Sequence, residues 1–152
     1  MAPRISCPLL SRDAIKEGMV ASHPGFVPTT SDPLTMRTYE VFFAALELML
    51  RADVTVVAEA AFRHPLWWRG LEPLAPLADF RVIRCRVDPE VAQRRIQNRL
   101  ASEPSRAAHA DAEHLTSAPA FEPLSLAVPT LDVDTSQHYD PDLEAVIAFC
   151  RR

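Results

Sequence analysis

"CPLLSRDAIKEG", residues 7–18, is the stretch on which the reading of this chain turns. An apolar run from Cys7 to Leu10 stops at Ser11, Arg12 and Asp13, and Ala14 to Glu17 open a helix. The pattern predicts a buried strand at about 6–10 that delivers an Arg-Asp pair to its carboxyl end, then a helix at about 12–20. Asp13 has two readings there. It is a helix N-cap that accepts backbone N–H bonds, or a general base towards a substrate hydroxyl at the sheet edge. Lys16 lies three residues on, on the same helix face, where it can hold a substrate anion.

Working outward, Pro24, Gly25, Pro28 and Pro33 punctuate a loop. Residues 32–53 then read as a long helix capped by Asp32, with Val41, Ala44, Ala45, Leu48 and Leu50 as its apolar stripe. "VTVVAEAAF", residues 54–62, has the β-branched character of a strand buried on both faces. Residues 63–79 read as two short helical pieces divided by Pro73 and Pro76, with Trp67 and Trp68 packing a helix on the sheet. A third strand follows at 80–87, then a helix with Asp88 as cap and Pro89 at its start. Residues 102–110 read as a mobile segment and 111–118 as a short helix. A fourth strand covers 129–136, and a closing helix begins with Asp140 as cap.

Strands alternate with helices throughout, which predicts one α/β domain over 1–152, a three-layer parallel sheet with helices on both faces. Ligands bind such sheets beyond the carboxyl ends of the strands. The polar residues fall at those ends: Ser11-Arg12-Asp13, Glu59 with Arg63, Arg86 with Asp88, and Asp134-Thr135-Ser136.

Composition excludes several classes. A net charge of −4 supplies no basic field for nucleic acid or anionic membrane. No apolar run reaches the roughly 18 residues of a membrane span, and the N-terminus is too weakly apolar for a secretory signal, so the expected location is cytoplasmic. Cys7, Cys85 and Cys150 form no metal or disulfide spacing, and Cys7 and Cys85 read as small buried hydrophobes. The five histidines are scattered, with no spacing that points to a metal, and read as solvent-exposed. Fourteen prolines stand against three isolated glycines, and neither GxxxxGK[ST] nor GxGxxG occurs.

Glu59 ends an apolar run and has two readings: a buried carboxylate, which needs a cation, a metal or the mouth of a site as partner, or a strand-end carboxylate in solvent. Arg94, Arg95 and Arg99, followed by Arg106, read either as a solvated helix face with Glu90 and Glu103 or as an anion clamp suited to phosphate oxygens. Within the second reading, the segment 102–117 becomes a lid.

Taken together the chain resembles the P-loop kinases of the small-molecule and polynucleotide kinase type. "LLSRDAIKEG" is similar to that family's second-strand motif, which implies Asp13 as the general base, with Arg12 and Lys16 on the substrate side; Arg63, beside Glu59 at the next strand end, is expected on that side too. "VTVVAEAAF" is similar to its third strand, which assigns Glu59 to metal or substrate support; the usual Asn two residues later is Ala61 here. "RCRVDPEVAQRRIQNRL" resembles the family's strand, helix and lid segment and implies Arg95 and Arg99 on phosphate, with Arg106 of the following segment joining them. "PTLDVDTSQHYDPDLEAVIAF" resembles the last strand and its loop, which places Asp134 and Thr135 near a nucleotide base. ATP and Mg²⁺ are the implied cofactors, a small-molecule hydroxyl the acceptor, and no direct protein ligand for the metal is assigned.

The departure is the family's first strand, glycine-rich phosphate loop and first helix, for which these residues offer no counterpart. In the family's sheet order, 2-3-1-4-5, that strand lies between those at 54–60 and 80–86. The resemblance therefore implies an N-terminally truncated fold, whose two edges close on each other or are filled. Each buried backbone group left unpaired costs about 1–3 kcal/mol. Two expectations follow: a kinase-family phosphotransferase whose start lies upstream, or a non-catalytic binding module that has lost ATP and dimerises through its central strand edges. An α/β-hydrolase reading fails for want of GxSxG.

Overall fold

The computed structural model describes residues 1–29, 32–62, 66–109, 123–124 and 126–151. A 3₁₀ turn at Ala2–Ile5 leads into β1 (Leu9–Ser11) and α1 (Arg12–Ala21). These are followed by α2 (Pro33–Arg51), β2 (Val57–Glu59), α3 (Leu66–Leu71), and a 3₁₀ turn at Glu72–Leu77. The chain continues through β3 (Val82–Arg86), α4 (Pro89–Ser102), a 3₁₀ turn at Pro104–His109, β4 (Thr130–Asp134) and α5 (Leu143–Cys150). The expected alternation of strand and helix is present.

Both strand pairs are parallel. β1 lies beside β2, with Leu9 opposite Val57, Leu10 opposite Ala58 and Ser11 opposite Glu59. β3 lies beside β4 over five residues, from Val82 opposite Thr130 to Arg86 opposite Asp134. The pairs form two separate two-stranded sheets, and among the described residues no ladder joins β2 to β3. The expectation of one continuous sheet is corrected to that extent, and the edges of β2 and β3 do not pair directly. The strand expected over 54–62 contracts to Val57–Glu59, and Val54 is exposed. A β-branched run forms ladder only where a neighbour offers one, and β1 offers three residues.

The main core joins α2 to the first sheet and to α3. Leu10, Phe42, Leu46, Leu50, Trp67, Leu71 and Leu74 form one buried cluster. The buried positions of α2 are Leu34, Thr38, Phe42, Leu46 and Leu50, a strict spacing of four. This corrects the expected stripe: Leu48 is 72% exposed and Val41 is also exposed. Trp67 sits edge-on to Phe42 and Phe62, with centroids 5.4 and 4.6 Å away, and makes like contacts with Tyr39 and Phe43. Its indole thus packs α3 on α2. Gly70 lies under the ring of Phe43, where a Cβ would collide with the ring carbons.

Other local expectations shift. Asp142, not Asp140, caps α5, with its Oδ1 accepting from the Ala145 N–H at 2.9 Å. Asp140 instead exchanges two backbone hydrogen bonds with Asp134. Asp88 sits at the N-cap of α4, but its side chain makes no capping bond. Cys85 is exposed rather than buried. Residues 102–110, expected to be mobile, include the Pro104–His109 turn, whose Ala108 and His109 are buried. The short helix expected at 111–118 lies outside the described residues.

The corrected stripe predicts a contrast. Phe42→Ala should cost about 3–5 kcal/mol of unfolding free energy, whereas Leu48→Ala should stay within about 0.5 kcal/mol. Urea denaturation of both variants checks it.

Candidate functional site

The site is built from the junction of β1 and α1. Ser11 is the last residue of β1 and the N-cap of α1, its Oγ accepting from the Ala14 N–H at 3.4 Å. The cap position being filled by Ser11, Asp13 is free of that duty. The same Ser11 hydroxyl donates to Glu59 Oε2 at 2.7 Å across the β1–β2 register. Glu59 therefore finds a hydroxyl at the carboxyl end of the sheet, beside the start of α1.

Asp13 faces a different set of groups. Its Oδ1 accepts from Arg12 Nη1 at 3.0 Å, and its Oδ2 accepts from Arg106 Nη1 at 2.9 Å. The side chains of Arg12 and Arg106 are only 15% and 11% exposed. Arg12 also lies over the Tyr39 ring, 5.4 Å from its centroid. His109 Nδ1 is 3.8 Å from Asp13 Oδ1, and its Nε2 is 3.0 Å from Glu17 Oε1. Burial by itself pushes the Asp13 carboxyl up. The Arg106 hydrogen bond, the nearby His109 and Arg12 outweigh it, so Asp13 titrates below the usual carboxylate value.

Lys16 does not stand open to a substrate anion. It is 2% exposed and donates from Nζ to Asp32 Oδ2 at 2.9 Å and to Thr35 Oγ1 at 2.7 Å. Asp32 in turn accepts from the backbone N–H groups of Thr29 and Thr35. Desolvation pushes the Asp32 carboxyl up, but Lys16 and these two N–H groups more than reverse it, leaving its pKa lowered. The ion pair ties α1 to the start of α2.

The remaining candidates gather at the ends of β3 and β4. Arg95 donates from Nη2 to the carbonyls of Thr135 and Ser136, so it braces the loop after β4 rather than reaching Asp13. Thr135 Oγ1 donates to the Arg86 carbonyl at 2.9 Å. Asp134 Oδ1 accepts the Ser136 N–H at 2.7 Å, the leading cause of its lowered pKa. Arg95 and Arg99 line a cleft of about 530 Å³ on α4 with Asn98, Ser102 and Glu103. Asp134 lines a second, of about 240 Å³, with Asp88, Ser136 and His138. Arg63 and residues 110–117 of the expected lid lie outside the described residues. Among the described residues no three His, Cys, Asp or Glu side chains gather as metal ligands.

The structure thus brings Asp13, Arg12 and Arg106 into one cluster, while Glu59 bonds Ser11, the residue that precedes Arg12. Arg95 and Arg99 lie instead on α4, and Asp134 and Thr135 at the end of β4, where Arg95 bonds the Thr135 carbonyl. Sequence reasoning missed His109, read as exposed, and Glu17. The available signal was spacing: Glu17 follows Asp13 by four on a helix, and His109 follows Arg106 by three.

Comparison with known proteins bears on the family and the fold. The model of a family described as "AAA domain" matches residues 2–124. That match begins at residue 2 and lends no support to the expected loss of an N-terminal strand. A crystal structure described as "a putative kinase" from Chloroflexus aurantiacus J-10-fl is similar at 27% identity and a TM-score of 0.81. The alignment covers 99% of this chain and 85% of that one. No curated protein matches.

The buried pair sets a prediction for stability. Lys16→Met leaves Asp32 buried without its cation, and should cost about 3–5 kcal/mol in urea denaturation at pH 7. Because Asp13 and Asp32 titrate below the ordinary 3.8 when folded, their contribution is full above that value. It is lost as pH falls through the lowered folded values. The acid-unfolding midpoint of Lys16→Met, followed by circular dichroism, should therefore lie at higher pH than that of the parent.

Proposed function

The chain belongs to the AAA domain family, and from that membership we propose that it is a phosphotransferase acting on a hydroxyl of a small molecule, with ATP as donor. The observation that carries the reading is the placement of Asp13. It stands at the carboxyl end of β1, still ionised near neutral pH, with two guanidiniums and an imidazole around it. A carboxylate so placed accepts the proton of an incoming hydroxyl. Arg106 and Arg12 are then positioned to take up phosphate charge as it develops. The net charge of −4 favours a small acceptor over a polynucleotide.

The family implies a nucleotide, and the described residues fit one in part. The Arg95–Arg99 cleft on α4 offers guanidinium donors of the kind that meet phosphate oxygens, and Asp134 and Thr135 border the neighbouring loop, suited to the base side. The three glycines provide no backbone cradle for phosphates: Gly18 lies within α1, Gly25 in a turn and Gly70 within α3. When bound, ATP supplies the γ-phosphoryl group. Mg²⁺ typically rests on phosphate oxygens, water and one or two carboxylates; Glu59 is the carboxylate proposed for it.

A second reading is favoured by the unjoined edges of β2 and β3. In it the chain is a binding module that associates with a second copy through those edges, without ATP affinity.

The two are separated by one set of measurements. The protein is incubated with radiolabelled ATP, Mg²⁺ and a panel of sugars, nucleosides and amino alcohols, and ATP binding is followed by calorimetry. The first reading predicts transfer to a hydroxyl, with Asp13→Asn lowering turnover about 10²–10⁴-fold and leaving ATP affinity unchanged. Unchanged turnover in Asp13→Asn removes Asp13 as base. A dimer in light scattering that binds no ATP selects the second reading.

A further inference from the structure

We propose that His109 is a positioning residue: it docks the Pro104–His109 turn on α1 and thereby holds Arg106 against Asp13. Two complementary pairs meet at this contact. On α1, Asp13 and Glu17 are four apart and share a face, where two like charges repel. On the 3₁₀ turn, Arg106 and His109 are three apart, and side chains at that spacing eclipse. The geometry sets one pair on the other. Arg106 Nη1 meets Asp13 Oδ2 at 2.9 Å, and His109 Nε2 meets Glu17 Oε1 at 3.0 Å. His109 Nδ1 also faces Asp13 Oδ1 at 3.8 Å, so the imidazole spans both acids.

Burial argues that the docking is specific. The His109 side chain is 4% exposed, in a turn whose other buried residue is Ala108. A buried imidazole needs polar partners: Nε2 hydrogen-bonds Glu17, and Nδ1 faces the Asp13 carboxylate at 3.8 Å, an electrostatic approach beyond hydrogen-bond reach. The charged groups around it are Asp13, Glu17 and Arg12 from α1 and Arg106 from its own turn. From α4, which also packs on this turn, no described side chain bonds to it. Arg106 reaches Asp13 from 93 residues away in sequence, and the imidazole is the second point that fixes the turn's orientation. The catalytic meaning of the contact rests on the reading of Asp13 as base; the contact itself does not.

The test uses the full chain and no ligand. Amide hydrogen exchange is measured over 104–109, and the Asp13 carboxyl is titrated by ¹³C NMR, in the parent, His109→Ala and Glu17→Ala. Removing a hydrogen bond to a charged partner should speed exchange in 104–109 by about tenfold or more in both variants. In His109→Ala the Asp13 midpoint should also rise towards the ordinary carboxylate value. Unchanged exchange in Glu17→Ala, or an unmoved Asp13 midpoint in a folded His109→Ala, overturns the proposal. Should His109→Ala fail to fold, exchange in Glu17→Ala decides alone. Neither readout needs turnover, so a protein without phosphotransferase activity that shows these shifts would sink the proposed function and leave this inference standing.

Discussion

The buried ion pair of Lys16 with Asp32 constrains everything around the site. Two charges taken out of water demand close geometry and full hydrogen bonding. Asp32 obtains it from Lys16 and two backbone N–H groups, and Lys16 obtains it from Asp32 and Thr35. With Lys16 turned inward, the rotation of α1 about its axis is settled. Asp13 and Glu17, on the neighbouring face, must then look towards the 104–109 turn. The pair also joins α1 to the first turn of α2, whose aromatic face builds the core with Trp67.

From that constraint the character of Asp13 follows. Its two oxygens are divided between Arg12, its neighbour in sequence, and Arg106, from the turn that follows α4. Burial would favour its neutral form, and the cations reverse the balance. Such a carboxylate stays ionised and is held in one orientation by its two cations. Glu59 approaches the same strand end but meets it through the Ser11 hydroxyl. The second group of candidates, around Arg95, Asp134 and Thr135, is organised by bonds to backbone carbonyls and N–H groups at the ends of β3 and β4.

Much of this was legible in the residues. The strand-to-helix junction at 11–12 emerges from the abrupt change at Ser11, and the helices that begin at Pro33 and Pro89 from proline at the first turn. The inward direction of Lys16 was not legible, because spacing alone places it on a face without saying which way that face looks. The same limit misassigned α2: Val41 and Leu48 are apolar, yet the buried row passes through Thr38, whose hydroxyl is satisfied by the Leu34 carbonyl. His109 was hidden for another reason. Its partners lie about ninety residues earlier, and only the tertiary fold brings them near. The division of the strands into two pairs depends on ladder partners that local pattern does not reveal.

The central claim is that Asp13 is gripped by Arg106 across the fold. A double-mutant cycle on Asp13→Asn and Arg106→Gln, read by urea denaturation at pH 7, tests it most directly. The account predicts a coupling of about 0.5–3 kcal/mol between the two substitutions. Simple additivity, with the double variant equal to the sum of the single ones, would contradict it.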